Sequence, residues 1–570
     1  MADMLYLFLF CLFFAAVCNG REHSAPSVAY VSYDINRHDY TIVDSTEPGN
    51  FVAKGVFRNE VNTTGWSLLE VSTSESYSDD VQAYAAGLVE GYLTADFIKM
   101  QWYNTIEGYC DKPYTAYCTR LQAYLQQNLD WMNRMISKSK ADPYWNQVKL
   151  YLLQVSGVSS GYFYPQVHVI GQPTTKLDPM GMYFMQISGD LEDLEGALHK
   201  PTKSHVLGSG SCSALVKLLP GAKDLFVSHD TWSSYMSMLR VLKKYDLPFH
   251  DSQGKIVPAQ TMSFSSYPGS VMSGDDYYLL SSGLVSMETT IGNSNDTLWS
   301  YIHPTESVPE GIRSMVANRI ARTGKEWVDA FAHFNSGTYN NEWMVVDYKQ
   351  FVPGRTDLTG VLYVLEQIPG LIEYEDLTPL LMKQTYWPSY NVPYFDKVFN
   401  MSGMPDMVEK YGDWFTWDKT PRALIFGRDH HRVVDLDSMI KLMRYNDFTH
   451  DPLSRCNCTP PYSAENAISA RCDLNPASGS YPISALGHRS HGGTDMKVTS
   501  AGLFQAHTFV TVSGPTSDQQ PPFQWSTADF ADECPHAGHP DIFNFDPIQF
   551  DGTVNYKPYP LYKPEHKGIH

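Results

Sequence analysis

GSGSCSAL, residues 208–215, places a cysteine between a glycine- and serine-rich run and an apolar segment. If the Ser211–Cys212 peptide bond is cut, the thiol of Cys212 lies beside its own α-amino group, whose pKa is about 7.7–8.0 in a free chain. An amine with that pKa is a competent general base for a thiol. The stretch therefore predicts a nucleophile that carries its own base or, in the simpler interpretation, a small buried cysteine after a loop.

The two sides of this stretch predict different structure. Before it, apolar spacing predicts strands over 28–33, 40–43, 51–57 and 66–71, and then helices over about 81–95, 121–136 and 143–155. Residues 187–211 are polar enough to predict an exposed linker. After it, the predicted strands are 224–228, 277–291, 341–348 and 361–366, and the chain from about residue 450 is rich in loops. Helices gathered in the first part and strands in the second indicate an α+β fold.

The amino terminus predicts export. Residues 5–17 are almost wholly apolar, but as a helix they would rise only about 20 Å, whereas a bilayer core is about 30 Å thick. The small residues Cys18 and Gly20 follow. Residues 1–20 are therefore predicted to be a secretory signal peptide. Because no later stretch is apolar enough to span a bilayer, we expect a lumenal protein.

The charge balance argues against nucleic acid as a partner. Among 570 residues, 42 Lys and Arg stand against 62 Asp and Glu, for a formal charge of −20 with histidine neutral. Such a chain repels phosphate backbones. The 19 histidines would offset nearly all of this charge below about pH 6.5. This balance suits an acidic organelle.

Glycans and disulfides are expected in an exported chain. The glycosylation sequons lie at Asn62, Asn295, Asn400 and Asn457. Two of the nine cysteines leave with the signal peptide. Cys110 and Cys118 are close enough in sequence to pair, and Cys212 is the odd thiol. The other four, Cys456, Cys458, Cys472 and Cys534, allow three connectivities. A Cys456–Cys458 bridge would need a strained loop, so spacing alone favours pairing each of these two with Cys472 or Cys534.

Two other motifs are weaker. Gly157-Val-Ser159-Ser-Gly161 matches the nucleophile elbow of serine hydrolases, but that elbow needs a strand before the serine, and here the preceding spacing is helical. The segment Cys534-Pro-His-Ala-Gly-His539 hints at zinc but lacks a second ligand pair. We therefore expect a glycine- and serine-rich loop at a helix end for the first motif, and no metal or other cofactor.

Five long blocks carry a family resemblance: CSALVKLLPGAKDLFVSHDTWSSY (212–235), SSGLVSMETTIGN (281–293), FNSGTYNNEWMVVDYK (334–349), MRYNDFTHDPLSRC (443–456) and ENAISARCDLNP (465–476). Through them the chain resembles the phospholipase B-like family of lysosomal or secreted glycoproteins, which includes the laminin-ancestor protein of insects and amoebae. The resemblance implies a hydrolase of the N-terminal-nucleophile type with an αββα sandwich. It also implies that the precursor cuts itself into two associated chains, here 21–211 and 212–570.

The resemblance also implies site residues. Cys212 matches the nucleophile and His229 a histidine placed near it. Thr290 matches a pocket hydroxyl. Asn341, with Asn340 as the alternative, matches an amide that donates to the oxyanion; such a donor is worth about 2.7–4 kcal/mol in another hydrolase. Cleavage is expected between Ser211 and Cys212.

Two further substrate contacts and a different disulfide pairing are expected. Arg471, in the ISAR block, is a candidate to bind an anionic head group, with support of its loop as an equal alternative. Trp232 is a candidate to line an acyl pocket, although most tryptophans pack in cores. The resemblance favours Cys456–Cys458 bridging, which leaves Cys472 to pair with Cys534.

The function that the resemblance implies is removal of acyl chains from glycerophospholipids through a thioester on Cys212. An N-acyl amide hydrolase is the first alternative, because the same site could cleave an amide. A self-cleaving glycoprotein with a mainly binding role is the second. Transient contact with a membrane surface and a homodimer are compatible with each of these.

Overall fold

The structure is a computed structural model that describes residues 24–164, 173–201 and 212–559. Its strands are β1 (Ser27–Asp34), β2 (Asp39–Asp44), β3 (Ala53–Glu60), β4 (Trp66–Thr73), β5 (Cys212–Leu218), β6 (Leu225–Ser234), β7 (Arg240–Asp246), β8 (Thr261–Ser266), β9 (Tyr277–Leu280), β10 (Leu284–Thr290), β11 (Asn341–Asp347), β12 (Leu362–Ile368), β13 (Leu371–Asp376), β14 (Tyr386–Ser389), β15 (His491–Gly493), β16 (Asp495–Thr499), β17 (Phe509–Ser513), β18 (Phe523–Gln524), β19 (Ile542–Phe543), β20 (Ile548–Phe550) and β21 (Lys557–Pro558).

The helices lie in two groups, one before residue 201 and one after residue 309. They are α1 (Val61–Thr64), α2 (Asp79–Leu93), α3 (Ala95–Thr105), α4 (Thr115–Lys138), α5 (Pro143–Tyr162), α6 (Met182–Gln186), α7 (Asp190–Ala197), α8 (Glu310–Ile320), α9 (Gly324–Ala332), α10 (Thr378–Gln384), α11 (Asp396–Met401), α12 (Met404–Tyr411), α13 (Pro421–Asp429), α14 (Leu436–Met443) and α15 (Ala501–Gln505). None of the helices in the described ranges combines the length and the apolarity needed to cross a bilayer.

Two large sheets carry the fold. One has eleven strands in the order β13-β12-β11-β10-β9-β8-β7-β4-β3-β1-β2, and the other has the order β14-β5-β6-β16-β17-β20-β21, with β15 paired to β6. In the first sheet β4 runs parallel to β7, with Trp66 opposite Arg240. Strands from both sides of residue 211 therefore belong to one hydrogen-bonded sheet.

The apolar cores separate four layers. Strand β4 shows the reason: Leu68 belongs to the core between the two sheets, and its neighbour Leu69 belongs to the core between the eleven-stranded sheet and the helices. Successive side chains of a strand point to opposite faces, so two adjacent apolar residues supply the two cores. A third core joins the eight-stranded sheet to α13 and α14. The order is helices, sheet, sheet, helices, in agreement with the predicted α+β class.

The glycines of the apparent nucleophile elbow join two helices. Gly157 and Gly161 lie inside α5, which continues to Tyr162, so the loop expected at this position is wrong. A Cβ on Gly157 would meet the backbone oxygen of Tyr84 at 2.1 Å, and one on Gly161 would meet that of Leu88 at 2.2 Å. These glycines therefore let α5 approach α2 backbone to backbone, and the prediction that this motif is not an elbow is confirmed.

The predicted exposed linker begins too early. Residues 190–197 form α7, in which Asp190, Leu191 and Leu194 are buried. Asp190 also accepts a hydrogen bond from the backbone N–H of Glu310 at 3.3 Å. A short helix with one buried side was missed because its acidic residues resemble a solvated loop. Residues 202–211, the predicted signal peptide and Ser211 lie outside the described residues.

Candidate active site

Cys212 opens onto a cavity of about 330 Å³. Cys212 is the first residue of β5 and lies opposite Thr231 on β6. Only 4% of the Cys212 surface is exposed. The walls come from both sides of residue 211, namely Gln101, Thr105, Ile106, Met185, Ser188, Gly189, Glu192, Thr231, Trp232, Ser233, Ser234, Met236, Ser237, Tyr267, Ser270, Met272, Gly274, Thr290 and Tyr339. Cys212, Trp232 and Thr290, each predicted from the sequence as a site residue, line this one cavity.

The backbone of Cys212 is held by Arg422. The buried Arg422 guanidinium donates to the Cys212 carbonyl oxygen at 2.6 Å and to Ser213 Oγ at 3.2 Å. It also lies over the Trp232 ring, 4.2 Å from its centroid. A charge-assisted bond of this kind fixes the position of the cysteine more firmly than a neutral one. Nothing in the sequence around Arg422 indicated this role.

The thiol is held in its neutral form. Burial, and next the carboxyl group of Glu288, raise the pKa of the Cys212 thiol well above its usual value. The backbone N–H of Trp232 and the ammonium of Lys497 act in the opposite direction. A desolvated thiol needs a local base or a hydrogen-bond donor before it can act as a thiolate.

His229 lies behind the cavity wall. It is fully buried, and its Nε2 donates to the backbone oxygen of Glu288 at 2.8 Å. Burial, followed by the charge of Lys497, lowers the pKa of His229 well below its usual value. The ring is therefore neutral, with Nδ1 an acceptor that faces Thr231 Oγ1 at 3.5 Å. His229 is not among the described residues that line the cavity, but it contacts one of them, Thr231.

The two candidate asparagines differ in their surroundings. Asn340 donates to Asp193 Oδ2 and to the Gly337 carbonyl oxygen, each at 3.0 Å, which ties its amide into a loop. Asn341 lies opposite Thr290 in the β10–β11 register. Its amide is fully buried and has no hydrogen-bond partner within the described part of the chain. A buried amide without a partner is costly, so Asn341 is the one of the pair with an unused donor. Neither asparagine is among the described residues that line the cavity.

Arg471 lies away from the cavity. Its guanidinium forms an ion pair with Asp473 and donates to the backbone oxygens of Thr516 and Pro521. It is 1% exposed. These contacts support the loop interpretation, and the predicted contact with a head group has no counterpart in the cavity lining.

Three potential metal ligands, Glu465, Cys472 and His491, form one cluster in the described residues, with ligand atoms within 4.8 Å of one another. The guanidinium of Arg489 donates to Glu465 Oε2 at 2.9 Å, and Cys472 Sγ lies 2.8 Å from the same oxygen. An arginine already supplies the positive charge that a metal ion would bring. The Glu465 carboxylate is therefore already paired with a cation.

Two of the expected disulfides form. Cys110 is bonded to Cys118, and Cys456 is bonded to Cys458. The expected Cys472–Cys534 bridge is wrong, because both cysteines have free thiols. Cys472 is buried against Trp232, whereas Cys534 packs in a separate aromatic cluster.

The sequons differ in exposure. Asn62, Asn400 and Asn457 are exposed, whereas Asn295 is half-buried. The Asn295 side chain donates to the Met401 carbonyl oxygen at 3.0 Å. Three of the four predicted glycan sites are therefore on the surface of the fold.

Comparison with known proteins places these observations in a family. The family model described as Phospholipase B matches residues 53–550. Phospholipase B-like 2 of Bos taurus is 52% identical over 516 residues, which cover 89% of this chain and 87% of that protein. The Homo sapiens protein of the same name is 50% identical over 539 residues, which cover 93% of this chain and 91% of that protein. Phospholipase B-like protein B of Dictyostelium discoideum is 37% identical over 531 residues, which cover 91% of this chain and 88% of that protein.

Proposed function

The chain belongs to the phospholipase B family, and from that premise we propose that it is an N-terminal-nucleophile hydrolase whose nucleophile is the thiol of Cys212. Cleavage of the Ser211–Cys212 bond would free the α-amine that serves as its base. The observation that carries the proposal is that Cys212, as the first residue of β5, opens onto the 330 Å³ cavity. Acyl chains of glycerophospholipids are the proposed substrate.

The proposed reaction has two balanced halves. The α-amine takes the thiol proton, the thiolate bonds to the substrate carbonyl carbon, and an oxyanion forms. The carbon–oxygen bond then breaks, and the leaving alcohol recovers the proton. Water, deprotonated by the same amine, attacks the thioester, so that the carbon–sulfur bond breaks and the fatty acid leaves. The amine then returns the proton to the Cys212 sulfur. Asn341 is the proposed donor to the oxyanion, because its buried amide has no partner in the described residues.

The shared sheet supports a two-chain enzyme. The parallel pairing of β4 with β7 joins the parts before and after residue 211 through seven consecutive residue pairs. Cleavage at residue 211 would leave this pairing intact. The proposed location is the lysosome or the exterior of the cell, with glycans on the exposed sequons.

A second candidate, an N-acyl amide hydrolase, is favoured by the chemistry of the cavity. Among the described residues that line it, the one acidic or basic side chain is that of Glu192, and eight of the twenty are serine or threonine. A phosphodiester is normally bound by Arg or Lys. A neutral amide substrate fits this lining.

The test compares paired ester and amide lipids, with Cys212→Ser and Cys212→Ala beside the processed protein. Amino-terminal sequencing of the larger fragment should start at Cys212. Ester turnover that is lost in both variants supports the first candidate, and preferential amide turnover supports the second. Lack of turnover of either substrate by processed protein would favour a binding role.

A matched pair of variants tests the oxyanion donor. Asn341→Ala should lower kcat about a hundredfold, the usual effect of removing one such donor. Asn340→Ala should leave kcat within a few-fold of the wild type, because the Asn340 amide is already bound to Asp193 and Gly337. Equal losses in the two variants would contradict the assignment.

A further inference from the structure

Every polar atom of Thr231 forms a hydrogen bond within a buried network. Its N–H donates to Asp495 Oδ1 at 3.0 Å, and its carbonyl oxygen accepts from the N–H of Thr494 at 2.7 Å. Its Oγ1 accepts from Lys497 Nζ at 2.6 Å. No motif in the sequence pointed to this residue, yet it lines the cavity opposite Cys212.

The hydrogen atoms around Lys497 can be counted. Its ammonium has three N–H donors, and these reach Thr231 Oγ1, Asp495 Oδ1 at 2.9 Å and Asp495 Oδ2 at 2.8 Å. Since the lysine donates to the threonine oxygen, the threonine hydroxyl hydrogen must point elsewhere. One acceptor is His229 Nδ1, at the 3.5 Å limit of a hydrogen bond. The hydroxyl hydrogen of Thr231 can otherwise point into the cavity.

The charges behind Thr231 are wholly buried. Lys497, Asp495, Asp275 and Arg240 each have side chains that are 0% exposed, and Arg240 forms ion pairs with both aspartates. Burying such a network costs desolvation free energy that apolar residues would not. The network brings an ammonium group within one hydrogen bond of the cavity wall. There it polarises the threonine hydroxyl and makes that hydroxyl a stronger donor.

We propose that Thr231 is a positioning residue for the nucleophile, with its Lys497-bound hydroxyl donating a hydrogen bond to Cys212 Sγ in the thiolate form. The inference rests on the proposed function for the role of Cys212 as nucleophile. The hydrogen bond itself does not require the Ser211–Cys212 bond to be cut.

The other groups that act on the thiol come from several elements. Glu288 on β10 and Asp275 before β9 raise its pKa, and the Trp232 N–H on β6 and Lys497 on β16 lower it. Tyr339 before β11 and Arg422 on α13 also interact electrostatically with Cys212. Thr231 adds the neutral donor that faces Cys212 directly across the strand pair.

The test follows alkylation of Cys212 by iodoacetamide against pH, with the modified peptide quantified by mass spectrometry. The thiolate is the species that reacts. Thr231→Val keeps the shape of the side chain and removes the hydroxyl, so it should raise the midpoint of the pH profile and slow alkylation at neutral pH about tenfold. Thr231→Ser restores the hydroxyl and should restore the profile. Lys497→Met should move the midpoint in the same direction as Thr231→Val.

Thr511→Val is the matched control, because Thr511 is a buried strand threonine that donates to the Met496 carbonyl oxygen and does not line the cavity. Its profile should match that of the wild type. If Lys497→Met does not fold, the Thr231→Val and Thr231→Ser pair decides. A folded Thr231→Val protein with an unchanged profile overturns the inference, as does Thr231→Ser behaving like Thr231→Val.

Turnover measured on the same samples distinguishes the proposed role of Thr231 from the proposed hydrolase activity. A shifted alkylation profile in a protein that hydrolyses neither ester nor amide supports the role of Thr231 and overturns the proposed hydrolase. Cys212-dependent turnover with an unshifted profile supports the hydrolase and overturns the role of Thr231.

Discussion

Acidic conditions should stabilise this fold, and one buried pair of carboxyl groups allows the effect to be measured. Glu342 on β11 lies directly opposite Glu366 on β12, and both are fully buried. Glu366 accepts hydrogen bonds from the backbone N–H groups of Tyr394 and Phe395. Two carboxylates this close cannot both be charged in a dry interior, so the pair retains a proton.

The magnitude follows from the shift in proton affinity. Burial raises the pKa of Glu342 from 4.5 to about 7, which corresponds to about 3 kcal/mol. The folded state binds this proton more tightly than the unfolded chain does, so the stabilisation is fully present below pH 4.5. It is lost as the pH rises from 4.5 to about 7. The free energy of unfolding should therefore fall by about 3 kcal/mol over this interval from this pair alone.

Glu342→Gln removes the titrating group but keeps the shape. We expect its free energy of unfolding, from urea denaturation followed by tryptophan fluorescence, to depend less on pH than that of the wild type by about this amount. Glu375→Gln, at an exposed position on β13, is the matched control and should keep the wild-type dependence. A Glu342→Gln protein with the same loss of stability between the two pH values as the wild type would refute the reasoning.

Two further predictions concern packing. Gly157→Ala should destabilise the fold by about 1–3 kcal/mol, because the new Cβ meets the Tyr84 backbone oxygen at 2.1 Å. Gly427→Ala, in a helix where a Cβ has room, should instead gain up to about 1 kcal/mol. If the urea midpoints of Gly157→Ala and Gly427→Ala moved in the same direction, this packing argument would be contradicted. Lys200→Met should cost about 1–2 kcal/mol, since the Lys200 ammonium lies 4.1 Å from the Tyr109 ring centroid and 2.6 Å from Glu195 Oε1. A urea midpoint equal to that of the wild type would show that these two contacts together do not stabilise the fold.

Local patterns predicted most elements but not their partners. The strands predicted over 28–33 and 66–71 correspond to β1 and β4, and the helix predicted over 143–155 lies within α5. Side-chain alternation and helical spacing are properties of neighbouring residues, so they are visible in the sequence. The parallel pairing of Trp66 with Arg240 joins distant segments, and no local pattern encodes it.

The site residues likewise fall into those that local motifs predicted and those that only the structure revealed. Cys212 and Thr290 were found from contiguous motifs, and the structure brings both to one cavity. Arg422 and Lys497 reach Cys212 and Thr231 from more than 200 residues away in the sequence. A single arginine or lysine without a motif resembles any surface charge. The missing Cys472–Cys534 bridge has the same origin, because cysteine counting carries no information on distance.

By itself, the sequence determined the α+β class, the family and the cysteine after a glycine- and serine-rich run, because each is written in contiguous residues. The tertiary structure alone decided that the buried Lys497–Asp495 charges lie behind Thr231. It alone also decided that the Asn341 amide has no partner among the described residues and that Arg471 pairs with Asp473. The physical reason is that desolvation and hydrogen bonding act over a few ångströms of space, and distance along the chain does not determine distance in space.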